Sequence, residues 1–255
     1  MPFHLRATLT TTIVSSIALF IFAAAILYAS VGHAGASGYL AVMALFSVAP
    51  EIMRPTALAL NVLVATIGTI KFYRAGYFSW SVFWPFALTS IPFSFIGGSL
   101  SLPSSVYKDV VGLVLLYAAF RLFRTNKDDL NPLGVKKGPL PVALVFGAGI
   151  GLLSGLVGVG GGIFLSPLLI LMKWADVKQT SGVSAAFILV NSIAGLSGQI
   201  ASLVYLPGAI PYWAVAAGIG GWIGAEYGSR RLGSLTLRRL LALVLVVAGV
   251  KMVLI

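Results

Sequence analysis

Long apolar runs alternate with short polar breaks along the whole chain, and the order of long and short runs occurs twice. Apolar segments cover about residues 8–31, 38–49, 56–72, 78–99 and 106–123. A polar stretch follows, Arg124-Thr-Asn-Lys-Asp-Asp-Leu-Asn-Pro-Leu-Gly-Val-Lys-Lys-Gly138. The pattern resumes at about 139–157, 163–172, 180–204, 209–228 and 237–255. Continuous runs of this length predict helices; the alternating ten-residue segments of a transmembrane barrel are absent. Five segments, a linker and five more predict an internal duplication, with a first repeat over 1–124, a linker over 125–138 and a second repeat over 139–255. Offset by 126, residues 31–67 share identities with 157–193 that include Gly32/Gly158, Gly35/Gly161, Ala49/Ala175 and Ile67/Ile193.

The second segment of each half is short. Ile163–Met172 spans ten residues, or ~15 Å of helix, about half of a hydrocarbon core. Each short segment follows a Gly-rich stretch, Ser30-Val-Gly32-His33-Ala-Gly35-Ala-Ser37-Gly38 in the first half and Gly151-Leu-Leu-Ser154-Gly155-Leu-Val-Gly158-Val-Gly160-Gly161-Gly162 in the second. This predicts a hairpin in each half: a helix enters, turns at the glycines and returns by a half-length helix. Broken backbone at membrane depth is tolerated only where it faces protein or a water-filled cavity. The turns therefore mark a candidate site, with the two tips expected to meet near the midplane.

Composition places these helices in a bilayer. The 255 residues are 59% hydrophobic and 9% charged, with a mean hydropathy of +1.02. The expected class is an all-α polytopic membrane protein. The run from Leu9 to Ala29 exceeds a secretory leader's apolar region and has a counterpart at Leu140–Val157, so a retained helix is expected there. With no cysteine, disulfides, thiolate metal sites and thiol catalysis are excluded.

The net charge of +11 lies in short loops, which points to lipid headgroups and topology rather than to nucleic acid. An inverted arrangement of the halves gathers Lys71, Arg74, Arg121, Arg124, Lys127, Lys136, Lys137, Lys173, Lys178, Arg230, Arg231, Arg238 and Arg239 on one side. Only Arg6, Arg54, Lys108 and Lys251 fall on the other. A parallel repeat would split them nearly evenly. The positive-inside rule thus predicts two inverted-topology repeats, each a Gly-rich hairpin plus three further helices. The linker lies in the cytoplasm and both termini outside.

Candidate chemistry gathers at the tips. A half-helix that begins just past a glycine turn points free N–H groups and a positive dipole end outward, which suits an anion. The predicted substrate-binding residues are Gly32, His33, Gly35, Ser37 and Gly38 in the first tip and Gly158, Gly160, Gly161 and Gly162 in the second. Thr56 and Asn61 join them from the third segment of the first half, Ser184 and Asn191 from that of the second. Helix–helix hydrogen bonding is the competing role for these polar residues. His33 is a proton-coupling candidate, because a histidine at this depth can bind an anion or carry a proton near neutral pH. Arg54 reads as a membrane-flanking charge. Tyr73, Tyr77, Trp80, Trp84, Tyr205, Tyr212 and Trp213 read as interfacial belts. No P-loop or metal-ligand cluster is present, and no catalytic residue, cofactor or metal is predicted. Ser154 with His33 is the one faint nucleophile–base pair for an intramembrane enzyme. A passive anion channel is the alternative to a carrier.

At these residues the chain resembles the TauE/SafE family of sulfite and organosulfonate exporters. The stretch Gly158-Val-Gly160-Gly161-Gly162-Ile-Phe-Leu-Ser166-Pro167-Leu-Leu carries the likeness, with Ser184-Ala-Ala and Asn191-Ser192. In the first half Gly32-His33-Ala34-Gly35-Ala36 replaces the Gly-rich pattern, and no proline follows at the matching place. The resemblance implies a secondary transporter of the cell inner membrane. It implies a small sulfur-containing or carboxylate anion as substrate, with a proton or sodium as the candidate coupling ion.

Overall fold

The computed structural model describes residues 11–124, 138–200 and 208–230, with the pairs 245–246, 249–250 and 253–254 beyond them. All regular structure among the described residues is helical. In chain order the helices are α1 (Thr11–Ala29), α2 (Ala36–Leu45), α3 (Pro50–Arg74), α4 (Trp80–Ser99), α5 (Ser104–Arg124), α6 (Leu140–Val157), α7 (Gly162–Leu171), α8 (Val177–Gln199) and α9 (Ile210–Arg230). The linker from 125 to 137 and most of the tenth apolar segment lie outside the described residues.

Local chemistry sets the bounds. α3 starts six residues before its apolar run: Pro50 occupies the first turn, where a missing N–H costs nothing, and Glu51 sits at the positive end. α8 starts early too, because the Asp176 carboxylate accepts the Gln179 N–H at 2.9 Å. α2 and α7 have ten residues each, and their starts, Ala36 and Gly162, are 126 positions apart, matching the sequence offset.

Among the described residues five helices, α1, α3, α4, α6 and α8, are long and apolar enough to cross a membrane. α5 and α9 have 21 residues each. Leu19, Leu88, Leu113, Val145 and Val215 are all more than 60% exposed, while Asn61, Ser90, Ser154, Ser184 and Asn191 are fully buried, the reverse of a water-soluble pattern. Trp80, Tyr73 and Tyr212 are exposed as belts require. Trp213 is not: it is fully buried and its Nε1–H donates to Val14 O at 3.2 Å. Tyr205 lies outside the described residues.

The pairing of helices crosses the two halves. α4 packs on α6 and α8, and α9 packs on α1 and α3. Each of these pairs maps onto another when the halves are exchanged, and α3 packs on its own counterpart, α8. Small residues make these approaches close. A Cβ at Gly147, Gly151 or Gly155 of α6 would collide with Phe86, Ser90 or Ser94 of α4, and one at Gly220, Gly224 or Gly228 of α9 with Phe22 or Ile26 of α1 or with Ser30 just past its end. Both series rise together, so these pairs run parallel. Between α3 and α8 the partners are Leu58 with Gly195, Asn61 with Ser192 and Gly68 with Ala185, so these two helices run antiparallel.

Candidate functional site

Each Gly-rich stretch folds as a tip between a long and a half-length helix. Gly32, Gly35, Gly158, Gly160 and Gly161 all have positive φ, a region that side chains rarely adopt. Gly35 precedes α2 at φ 109° and Gly161 precedes α7 at φ 81°, and no side chain caps either helix. The N-terminal dipole end of each half-helix is thereby left without a side-chain cap.

The tips are staggered and do not meet end to end. Gly32 lies on the backbone of Ser181, near the start of α8, and Gly158 lies against Arg54, near the start of α3. The α3–α8 register puts Ser181 about 18 residues further along α3 than Arg54, or ~27 Å. The tips are joined instead by a side chain. His33 of the first tip reaches the first turn of α7, where its Nε2 lies 3.0 Å from Gly162 O and 2.8 Å from Ser166 Oγ. A carbonyl only accepts, so Nε2 carries the proton. Ser166 Oγ then bonds Ser184 Oγ of α8 at 2.8 Å. The chain His33–Ser166–Ser184 ties the first half to the second.

The other tip glycines pack around this chain. A Cβ at Gly162 would stand 3.0 Å from the His33 ring, and one at Gly160 would stand 2.8 Å from Asn61 Nδ2 and 3.0 Å from Ser192 Oγ. Asn61 Nδ2 donates to Ser192 Oγ at 3.3 Å, while its Oδ1 is buried without a partner. His33, Asn61, Ser184, Gly160 and Gly162 are thus brought together. Thr56 is fully buried with no partner for its hydroxyl. Asn191 does not join Asn61: its Nδ2 turns back to Phe187 O, and its backbone carbonyl accepts from Ser94 of α4. Ser37 donates to the Tyr28 hydroxyl at 2.8 Å, and Gly38 lies against Ala24 and Tyr28, so both serve the packing of α2 on α1.

Two participants were not legible as such. Ser166 sits one turn after Gly162 and so on the same helical face, the one signal that points to it. Arg54 is 6% exposed and donates to Leu100 O, Gly97 O and Gly98 O at 2.9, 2.7 and 2.6 Å. It caps the C-terminal end of α4 beside the second tip, with no carboxylate partner among the described residues. Lys178 donates to the Tyr77 hydroxyl at 3.0 Å. Ser154 and His33 form no nucleophile–base pair: the imidazole contacts α7, and the Ser154 hydroxyl has no partner.

The sulfite exporter TauE/SafE family model matches residues 17–252. The chain belongs to that family. It is 44% identical over 238 residues to the probable membrane transporter protein y4hK of Sinorhizobium fredii, covering 92% of this chain and 96% of that relative. It is 28% identical over 121 residues to the probable membrane transporter protein MJ0441 of Methanocaldococcus jannaschii, covering 46% of this chain and 44% of that relative. No solved structure matches it. This TauE/SafE protein is a multi-pass membrane transporter, and its family is one of transporters rather than enzymes.

Proposed function

We propose that this transporter carries a small anion, sulfite, an organosulfonate or a related carboxylate, by alternating access around the two tips. The observation that carries the reading is the pair of half-helices, α2 and α7, each starting uncapped at a left-handed glycine and linked through His33. Arg54 adds a buried positive charge beside the second tip. Such ends stabilise an oxyanion through backbone N–H groups. The sulfur chemistry is supported by the family's name. The opposite directions of α3 and α8, and with them of α1 and α6, support two inverted repeats over 1–124 and 139–255. We place the protein in the cell inner membrane with the 125–138 linker cytoplasmic.

His33 contacts the anion or its proton in this scheme. A fixed charge at membrane depth costs ~2.5 kcal/mol or more, so a protonated His33 is best tolerated with the anion beside it. In proteoliposomes, sulfite flux against its gradient is expected to follow an imposed proton gradient. His33→Ala is expected to flatten the pH profile. Strictly downhill flux under every ion gradient would favour the channel reading. An unchanged profile in His33→Ala would make the histidine structural.

A further inference from the structure

The junction of α4, α6 and α8 holds more polar groups than its packing needs. Gly151 lies on the Ser90 backbone and Gly155 on Ser94, while a Cβ at Gly195 would stand 3.3 Å from the Gly155 Cα and from Ser94 Oγ. Ser94 Oγ donates to Asn191 O at 2.8 Å. Within a turn of these contacts Ser90, Ser154 and Asn191 are all fully buried. Ser90 Oγ, Ser154 Oγ and Asn191 Oδ1 have no hydrogen-bond partner. Buried orphans of this kind are costly and call for a partner such as water or an ion.

The matching junction in the exchanged halves joins α9, α1 and α3. At the offset of 126, Tyr28 and Ala65 stand there in the places of Ser154 and Asn191, and, counted from the starts of α4 and α9, 130 positions apart, Gly220 stands in that of Ser90. Tyr28 is satisfied by Ser37, and the helices approach as closely. The same packing is therefore achieved there with one orphan oxygen, that of Thr69 at the position matching Gly195. The three oxygens of the first junction need another explanation.

We propose that Ser90, Ser154 and Asn191 bind a sodium ion. All three offer neutral, hard oxygen atoms, the donor type of alkali and alkaline-earth cations. None carries a formal charge, which favours a monovalent over a divalent ion. Ser154 lies in the last turn of α6, where the helix unwinds into the second tip, and the terminal carbonyls there carry negative partial charge. Broken helices hold cations at such ends. Resting on the carrier reading, a cation here lowers the cost of an anion at the start of α7, so each ligand tightens the other by the same factor.

The test uses the purified full-length chain in detergent, with NaCl replaced by N-methylglucamine chloride at constant pH and ionic strength. The unfolding midpoint is expected to rise saturably with Na⁺, by mass action, and not with K⁺. Ser90→Ala and Ser154→Ala each remove one oxygen without adding bulk. They are expected to raise the half-saturating Na⁺ concentration roughly tenfold or more. A wild-type response that is flat, or equal for all three cations, overturns the site, as does an unchanged half-saturation in both variants. A sulfite titration in the sodium-free buffer separates the readings. A sulfite shift without a sodium shift removes this site and leaves the carrier; the reverse result leaves the site and removes the sulfite reading.

Discussion

At the scale of single residues, the tips depend on backbone that only glycine adopts freely. Gly35 and Gly161 have φ of 109° and 81°, and a Cβ would meet the Tyr39 ring at 2.8 Å in one and Phe187 at 2.8 Å in the other. Gly35→Val and Gly161→Val are expected to abolish transport while the protein still inserts, since a β-branched side chain adds strain and bulk at the start of a half-helix. Flux in proteoliposomes, set beside the amount in the membrane fraction, checks this. Full activity in either variant would reduce that tip to a packing turn. These glycines were legible because they occur twice at one offset. Ser166 was not, because its partner His33 lies 133 positions away, and a lone serine in an apolar helix has a ready alternative in its own backbone.

At the scale of elements, the end of α4 depends on a side chain from α3. The carbonyls of Gly97, Gly98 and Leu100 belong to a helix terminus, where no intrahelical donor remains. The Arg54 guanidinium supplies the donors from 43 to 46 positions away. Arg54→Ala is expected to destabilise the protein by about 2–4 kcal/mol, seen as a lower unfolding midpoint in detergent. Arg54→Lys is expected to recover only part of that, because an ammonium lacks the planar fork that reaches several acceptors. A midpoint unchanged in Arg54→Ala would mean that water caps the helix equally well. The half-length helices and their order were readable from apolar run length alone. The role of Arg54 was not, because Pro50-Glu51-Ile-Met-Arg54 at a helix start looks like an ordinary charged flank. Trp213 misled for a similar reason: an indole near a helix start suits a membrane surface or a buried contact equally well.

At the scale of the whole molecule, the distribution of Lys and Arg predicts one orientation. A cysteine at Pro2 and one at Asn126, each in this cysteine-free chain, are expected to react with an impermeant thiol reagent from opposite sides of the membrane. Labelling of both from one side would remove the inverted arrangement. The succession of long and half-length helices was legible because apolar run lengths carry it. The crossing of α4 and α9 into the opposite halves was not, because run lengths carry no information about partners. That crossing has a consequence for how the chain is made. When a ribosome has released only the first half, α4 has entered the bilayer with Ser90, Ser94, Gly97 and Gly98 turned toward partners that do not yet exist. α1 and α3 likewise await α9. The early half must hold an unfinished polar seam against lipid until the late half arrives to close it.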